Sequence, residues 1–115
     1  MVSRDLFNVM IAVYMMGSRR HGTIYVGVTS DLPSRIVKHR EGLMPGFTKE
    51  YHVHRLVWFE PHESMERAIR REKQLKKYKR EWKINLIEEA NPYWVDLFPS
   101  LIGQKPLKLI IFPDR

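Results

Sequence analysis

Three charged side chains stand where helical periodicity asks for apolar ones. After Asp31, Leu32 and Ile36 mark a buried stripe, and the positions that complete its i, i+3, i+4, i+7 pattern are Arg35 and His39. Further along, Met65, Ala68 and Ile69 mark a second stripe, and its next members are Glu72 and then Leu75. Burying a charge is costly unless it is paired or bound to something. The chemistry of these residues is therefore ionic, in one of two ways. Arg35 and Glu72 form an internal salt bridge, with His39 a satisfied half-buried histidine. Alternatively, all three face a bound group in a site between the two helices and a sheet. Two tyrosines bear on the choice. Alternation along a strand puts Tyr25 and Gly27 on one face, opposite Ile24, Val26 and Val28. Gly27 leaves room beside Tyr25 for another backbone or a ligand. Tyr14, in the middle of the preceding apolar run, can lie near Tyr25 across a strand pair.

The elements that must position these residues follow from pattern. Phe7 to Met16 is rich in β-compatible side chains and apolar on both faces, as a central strand is. Thr23 to Val28 reads as its hairpin partner across the loop Gly17 to Gly22. Ser30 or Asp31 caps a helix that has Pro33 in its first turn, reaches about Arg40 and ends at Gly42. Residues 43–53 read as loop, and His54 to Glu60 as a third strand closed by Pro61. Ser64 caps a second helix running to about Lys77, with Glu66 in its first turn. A third helix covers Arg80 to Ala90 and stops at Asn91-Pro92. The order β-β-α-β-α-α describes an α+β domain, broadly α/β, with a small three-stranded antiparallel sheet flanked by helices. The domain is expected over residues 7–97. Residues 98–115 form a tail in which Leu107 to Phe112 is either an added strand or an apolar segment that needs a partner, as in tail-mediated self-association.

Composition narrows the class of function. The chain has 115 residues, one domain's worth, with 20 Lys and Arg against 13 Asp and Glu, a formal charge of +7. A compact domain this basic meets polyanions, either nucleic acid or an anionic membrane surface. The absence of cysteine excludes disulfides, Cys-based metal sites and a Cys nucleophile, and it fits a reducing cytoplasm. The apolar stretch Leu6 to Gly17 reads as a buried strand rather than a leader, because Asn8 interrupts it and Arg19 and Arg20 follow it. It is too short to span a bilayer.

The ordered set Tyr14, Tyr25, Gly27, Arg35, His39 and Glu72 resembles the GIY-YIG endonuclease superfamily, in its short single-domain bacterial branch. The two name motifs stand as Ala12-Val13-Tyr14 and Tyr25-Val26-Gly27, with Ala12 in place of the first glycine. Gly46 to Lys49, Leu56 to Glu60, Trp82 to Ile87 and Asn91-Pro92 extend the likeness, which covers about Met10 to Leu97. The resemblance implies the GIY-YIG nuclease fold and metal-dependent hydrolysis of phosphodiester bonds in DNA, with RNA as the other candidate polymer. It implies Tyr25 as general base and Tyr14 as the residue that holds Tyr25 or the attacking water. Arg35 would bind the scissile phosphate, and His39 would orient Tyr25 or shuttle a proton. Glu72 would hold one Mg²⁺ or Mn²⁺ ion, and Asn85 would line the same cleft. A free phenol titrates near ~10, so a tyrosine base needs nearby positive charge.

Nucleic-acid contact is expected from the basic stretch Arg67, Arg70, Arg71, Lys73, Lys76, Lys77, Arg80 and Lys83, with Lys79, Tyr78 and Trp82 interleaved and Lys49 extending the surface. From Glu66 to Lys83, three acidic residues oppose nine basic ones, so mutual pairing cannot neutralise it. The same features also suit a nucleic-acid-binding module that does not cut, or a repair or recombination accessory acting with a partner. His52 and His54 read as surface histidines.

Overall fold

Ala12 to Gly17 is buried at every position, which only a strand covered on both faces and paired on both edges permits. It is the centre of a three-stranded antiparallel sheet in the computed structural model, which describes residues 10–41 and 53–103. The strands are β1 (Ala12–Gly17), β2 (Ile24–Thr29) and β3 (Arg55–Pro61), in the order β2-β1-β3. The helices are α1 (Leu32–Arg40), α2 (Met65–Lys76), α3 (Arg80–Ala90) and α4 (Phe98–Leu101). The expected β-β-α-β-α-α order is the observed one, with α4 added.

The first strand starts later than its apolar run suggested. Met10 and Ile11 lie outside it because their carbonyls serve other partners: Leu32 N–H donates to Met10 O and His62 N–H to Ile11 O. Residues 7–9 lie outside the described residues, as do Gly42, Lys49, His52 and the segment Leu107 to Phe112. Asp31 caps α1 by accepting from Ser34 N, and Ser64 caps α2 by accepting from Arg67 N. Ile69, expected in the α2 stripe, is exposed; Ala68 and Leu75 are the buried members.

The sheet divides the core in two. On one face Val13, Met15 and Val26 pack with Ala68 and Leu75 of α2, Ile87 of α3, and Trp94. On the other, Ala12, Tyr14 and Met16 pack with Leu32 and Ile36 of α1, and with Leu97, Phe98 and Leu101. Helices α1 and α2 therefore lie on opposite faces, and β2 is the edge strand that separates them.

The segment after α3 is tied down by two polar side chains. Buried Asn91 donates to Val57 O and Val95 O and accepts from Val95 N. Asp96 accepts from the amides of Leu56 and Phe98 and pairs with Arg40 of α1. These bonds lead the chain into α4, whose Phe98 and Leu101 pack against the Tyr14 face of the sheet. A chain ended after Leu97 is expected to melt several degrees below one ended after Gly103, about 5 °C for each kcal/mol of lost burial. Equal melting temperatures by calorimetry would contradict that packing.

Candidate active site

The site is built around one tyrosine seated on one glycine. Tyr14 pairs with Gly27 across β1 and β2, and Met16 pairs with Tyr25, so all four share a sheet face. A Cβ at Gly27 would lie 2.5 Å from both Cζ and the hydroxyl oxygen of Tyr14. The room that Gly27 leaves is thus filled by the Tyr14 ring, rather than by a ligand or another backbone. Tyr14 is fully buried, and its hydroxyl lies 2.8 Å from Nε2 of His39 on α1. Tyr25, on the edge strand, is only partly buried. The three rings form a triangle: Tyr14–Tyr25 centroids are 6.2 Å apart, Tyr14–His39 5.6 Å and Tyr25–His39 5.3 Å. His39, expected to orient Tyr25 or shuttle a proton, hydrogen-bonds Tyr14 and has the Tyr25 ring beside it.

Burial sets the charge state of this pair. Removal from water pushes the Tyr14 phenol well above its ordinary range; Arg35 opposes that rise, and hydrogen bonding to Tyr25 adds to it. Burial pushes His39 down to about 4, with Arg35 and His54 adding to the shift. Both groups are neutral at pH 7. Nδ1 of His39 is buried and has no hydrogen-bond partner among the described residues. A proton on Nδ1 would be a buried N–H without an acceptor, the costlier arrangement. The tautomer with its proton on Nε2 donates to the Tyr14 oxygen and leaves the Tyr14 O–H free to donate to Tyr25.

Arg35 stands one helical turn before His39 on α1 and is half-buried. Its guanidinium reaches Val28 O at 3.5 Å, the limit of a hydrogen bond, and it interacts with the Tyr14 hydroxyl. The Arg35–Glu72 salt bridge that would make both charges structural is not formed. Glu72 pairs instead with Lys76, Oε2 to Nζ 2.6 Å, with its side chain 12% exposed. Arg35 is left as a half-buried cation with no carboxylate partner among the described residues. The two helices do not face each other as a cleft above the sheet: α2 is on the far face, packed against β2 and β1, and Tyr25 stands on the edge strand β2.

No group of three or more His, Asp or Glu suited to a metal exists among the described residues. Glu72 alone fits an ion held mainly by water and a phosphate, a common way to hold Mg²⁺. Lys76 holds that place electrostatically and must yield to such an ion.

The basic residues divide. Arg71 bonds Glu60 through Nε at 3.0 Å, and Arg80 donates to the carbonyls of His21 and Gly22, both at 2.7 Å. These two, expected on nucleic acid, are committed to tying α2 to β3 and α3 to the hairpin loop. Arg67, Arg70, Lys73 and Lys77 remain exposed, and Lys83 is half-buried. Asn85 lies on the exposed side of α3, in a depression lined by Tyr78, Trp82, Leu86 and Glu89; none of Tyr14, Tyr25, Arg35, His39 and Glu72 lines it. The structural roles of Asn91 and Asp96 were not visible in sequence, since neither residue breaks a pattern.

Known proteins were compared with this chain. The sequence model of one family, described as the GIY-YIG catalytic domain, matches residues 10–85. UPF0213 proteins of Staphylococcus aureus strains Mu50 and N315 are each 35% identical over 68 residues, 59% of this chain and 83% of theirs. The solution NMR structure of a UPF0213 protein from Bacillus halodurans is 26% identical, with a TM-score of 0.48 over 83% of this chain and 98% of that one.

Two outcomes follow from the buried pair. Gly27→Ala forces Tyr14 off its seat and is expected to cost about 1–3 kcal/mol in urea unfolding; an unchanged midpoint would contradict the contact. The folded-state pKa of His39 is depressed, so its contribution to stability is complete above about pH 6.5 and is lost as pH falls toward 4. Unfolding of His39→Gln should therefore lose less stability between pH 7 and 5 than the wild type does. Identical slopes would show that His39 is not held neutral.

Proposed function

The chain belongs to the GIY-YIG family, a nuclease-type family, and we propose that it is a metal-dependent endonuclease that hydrolyses phosphodiester bonds in DNA. The observation that carries this reading is a half-buried Arg35 with no carboxylate partner among the described residues, on the same sheet face as a partly exposed Tyr25 beside the buried Tyr14–His39 bond. Arg35 supplies charge-assisted hydrogen bonds to the non-bridging oxygens of the phosphate. Tyr25 takes a proton from the attacking water. The new bond forms from the water oxygen to phosphorus, the bond from phosphorus to the 3′-oxygen breaks, and the leaving oxygen ends protonated.

Tyr14 and His39 do not exchange charge with the solvent in this scheme. Both stay neutral, and the donor chain from His39 Nε2 through the Tyr14 hydroxyl fixes the Tyr25 oxygen. Glu72 is the residue that would hold a divalent cation, Mg²⁺ or Mn²⁺. Such an ion, when bound, supplies charge stabilisation for the departing oxygen. Arg67, Arg70, Lys73 and Lys77 supply sequence-independent attraction to the phosphate backbone.

A panel of labelled duplex, branched and single-stranded DNAs and RNAs, with and without Mg²⁺ or Mn²⁺, tests the reading. Wild type is expected to nick at least one DNA form only when metal is present. Tyr25→Phe and Glu72→Ala should lower the rate by about 100-fold or more, with DNA affinity retained in gel shifts. Binding by wild type without cleavage of any form would replace the nuclease with a binding module of the same fold.

A further inference from the structure

On the surface of α2 and α3, two aromatic rings that the proposed hydrolysis does not use stand among the basic residues. Arg70, Lys73, Gln74, Lys77, Tyr78 and Trp82 line an open depression of about 490 Å³. Trp82 is 48% exposed, whereas Trp58 and Trp94 are buried. Its indole meets Tyr78 edge to face, centroids 5.4 Å apart and planes at 86°. Tyr78 is anchored in turn: it packs against the core and hydrogen-bonds Arg71, which Glu60 holds. A half-exposed indole on a fixed base offers an apolar face with a defined orientation.

The charge around that face is one-sided. Arg70, Lys73 and Lys77 flank it, and the Lys79 ammonium lies 5.7 Å from the Trp82 ring centroid. Glu66 offsets Arg70 only through a strongly exposed pair at 3.4 Å, and Glu72 is taken by Lys76. Of the acidic residues on α3, Glu81 precedes Trp82 in the first turn and Glu89 lines the neighbouring depression, which shares Tyr78 and Trp82; neither lines the basic depression. A polyanion is therefore directed to one flank of the indole.

We propose that this depression binds single-stranded nucleic acid, with an unpaired base stacked on Trp82 and the adjoining phosphates on Arg70, Lys73 and Lys77. Stacking on an aromatic face needs a base out of its helix, which a duplex does not offer. Placement agrees. The depression is on the α2–α3 side of the sheet and the Tyr14–His39 pair on the other. A strand that touches both must turn around an edge of the sheet, which a flexible single strand does readily and a stiff duplex does not. The inference deepens the nuclease reading and rests on it for the polymer class, favouring substrates with an unpaired segment.

Tryptophan fluorescence in EDTA tests it without any cleavage. Oligothymidylate of about ten nucleotides should quench the exposed tryptophan, and Trp82→Phe should abolish the quench, since Trp58 and Trp94 are shielded. Trp82→Ala should weaken anisotropy-measured binding about 5- to 100-fold. The double variant Lys73→Glu, Lys77→Glu should bind more weakly and with a flatter salt dependence. A blunt duplex of equal charge should bind at least about tenfold more weakly than the single strand. The proposal is overturned if Trp82→Phe keeps the quench, if duplex and single strand bind alike, or if polyglutamate quenches as oligothymidylate does. Quenching by a protein that cuts nothing would sink the nuclease reading and leave this one standing; cutting without quenching would do the reverse.

Discussion

One buried hydrogen bond organises the candidate site: the Tyr14 hydroxyl on His39 Nε2, at 2.8 Å. It joins the central strand to α1 inside an apolar shell, where an unmade polar bond is costly. The bond is possible because Gly27 has no side chain; any Cβ there would occupy the space of the phenol. The tyrosine ring, the glycine seat and the histidine are therefore one unit. Tyr25 and Arg35 are placed by that unit, the first by the β1–β2 register and the second by lying one turn from His39. The two residues that reach solvent stand on two that do not.

The sheet imposes the second constraint. With β1 in the middle and α1 and α2 on opposite faces, the phosphate-binding arginine and the metal-binding glutamate of the proposed mechanism sit on different layers. In the proposed mechanism they cooperate across the β2 edge, which carries Tyr25. An exposed sheet edge is usually a liability; here it would be the line along which substrate passes from one face to the other. The Lys76–Glu72 pair fits that view, because it neutralises a half-buried carboxylate until a better cation arrives.

Much of this was legible in the sequence, for identifiable reasons. Arg35, His39 and Glu72 broke helical stripes, and Gly27 broke a strand, so each announced an unusual environment. Strand and helix types followed from period and caps, and Asp31 and Ser64 proved to be caps. What stayed hidden was tertiary. A helical stripe says that one side is buried but not against which face of the sheet, so the cleft between α1 and α2 was misplaced. A glycine says that space is needed but not what fills it. Arg71 and Arg80 read as free charge because their partners, Glu60 and the loop carbonyls of His21 and Gly22, are distant in sequence. Ile69 fitted the stripe by spacing yet fell outside it, since α2 presents a narrower buried face than its pattern allows.

The central claim is that Glu72 and the Tyr14–Tyr25–Arg35 cluster meet at the β2 edge when nucleic acid is present. Paramagnetic broadening by Mn²⁺ in the NMR spectrum of the protein bound to DNA reads this directly. The account predicts selective loss of signals from Glu72, Tyr25 and Arg35, with α4 and the far end of α3 untouched. Broadening centred elsewhere, or confined to α2 with Tyr25 and Arg35 unaffected, would contradict it.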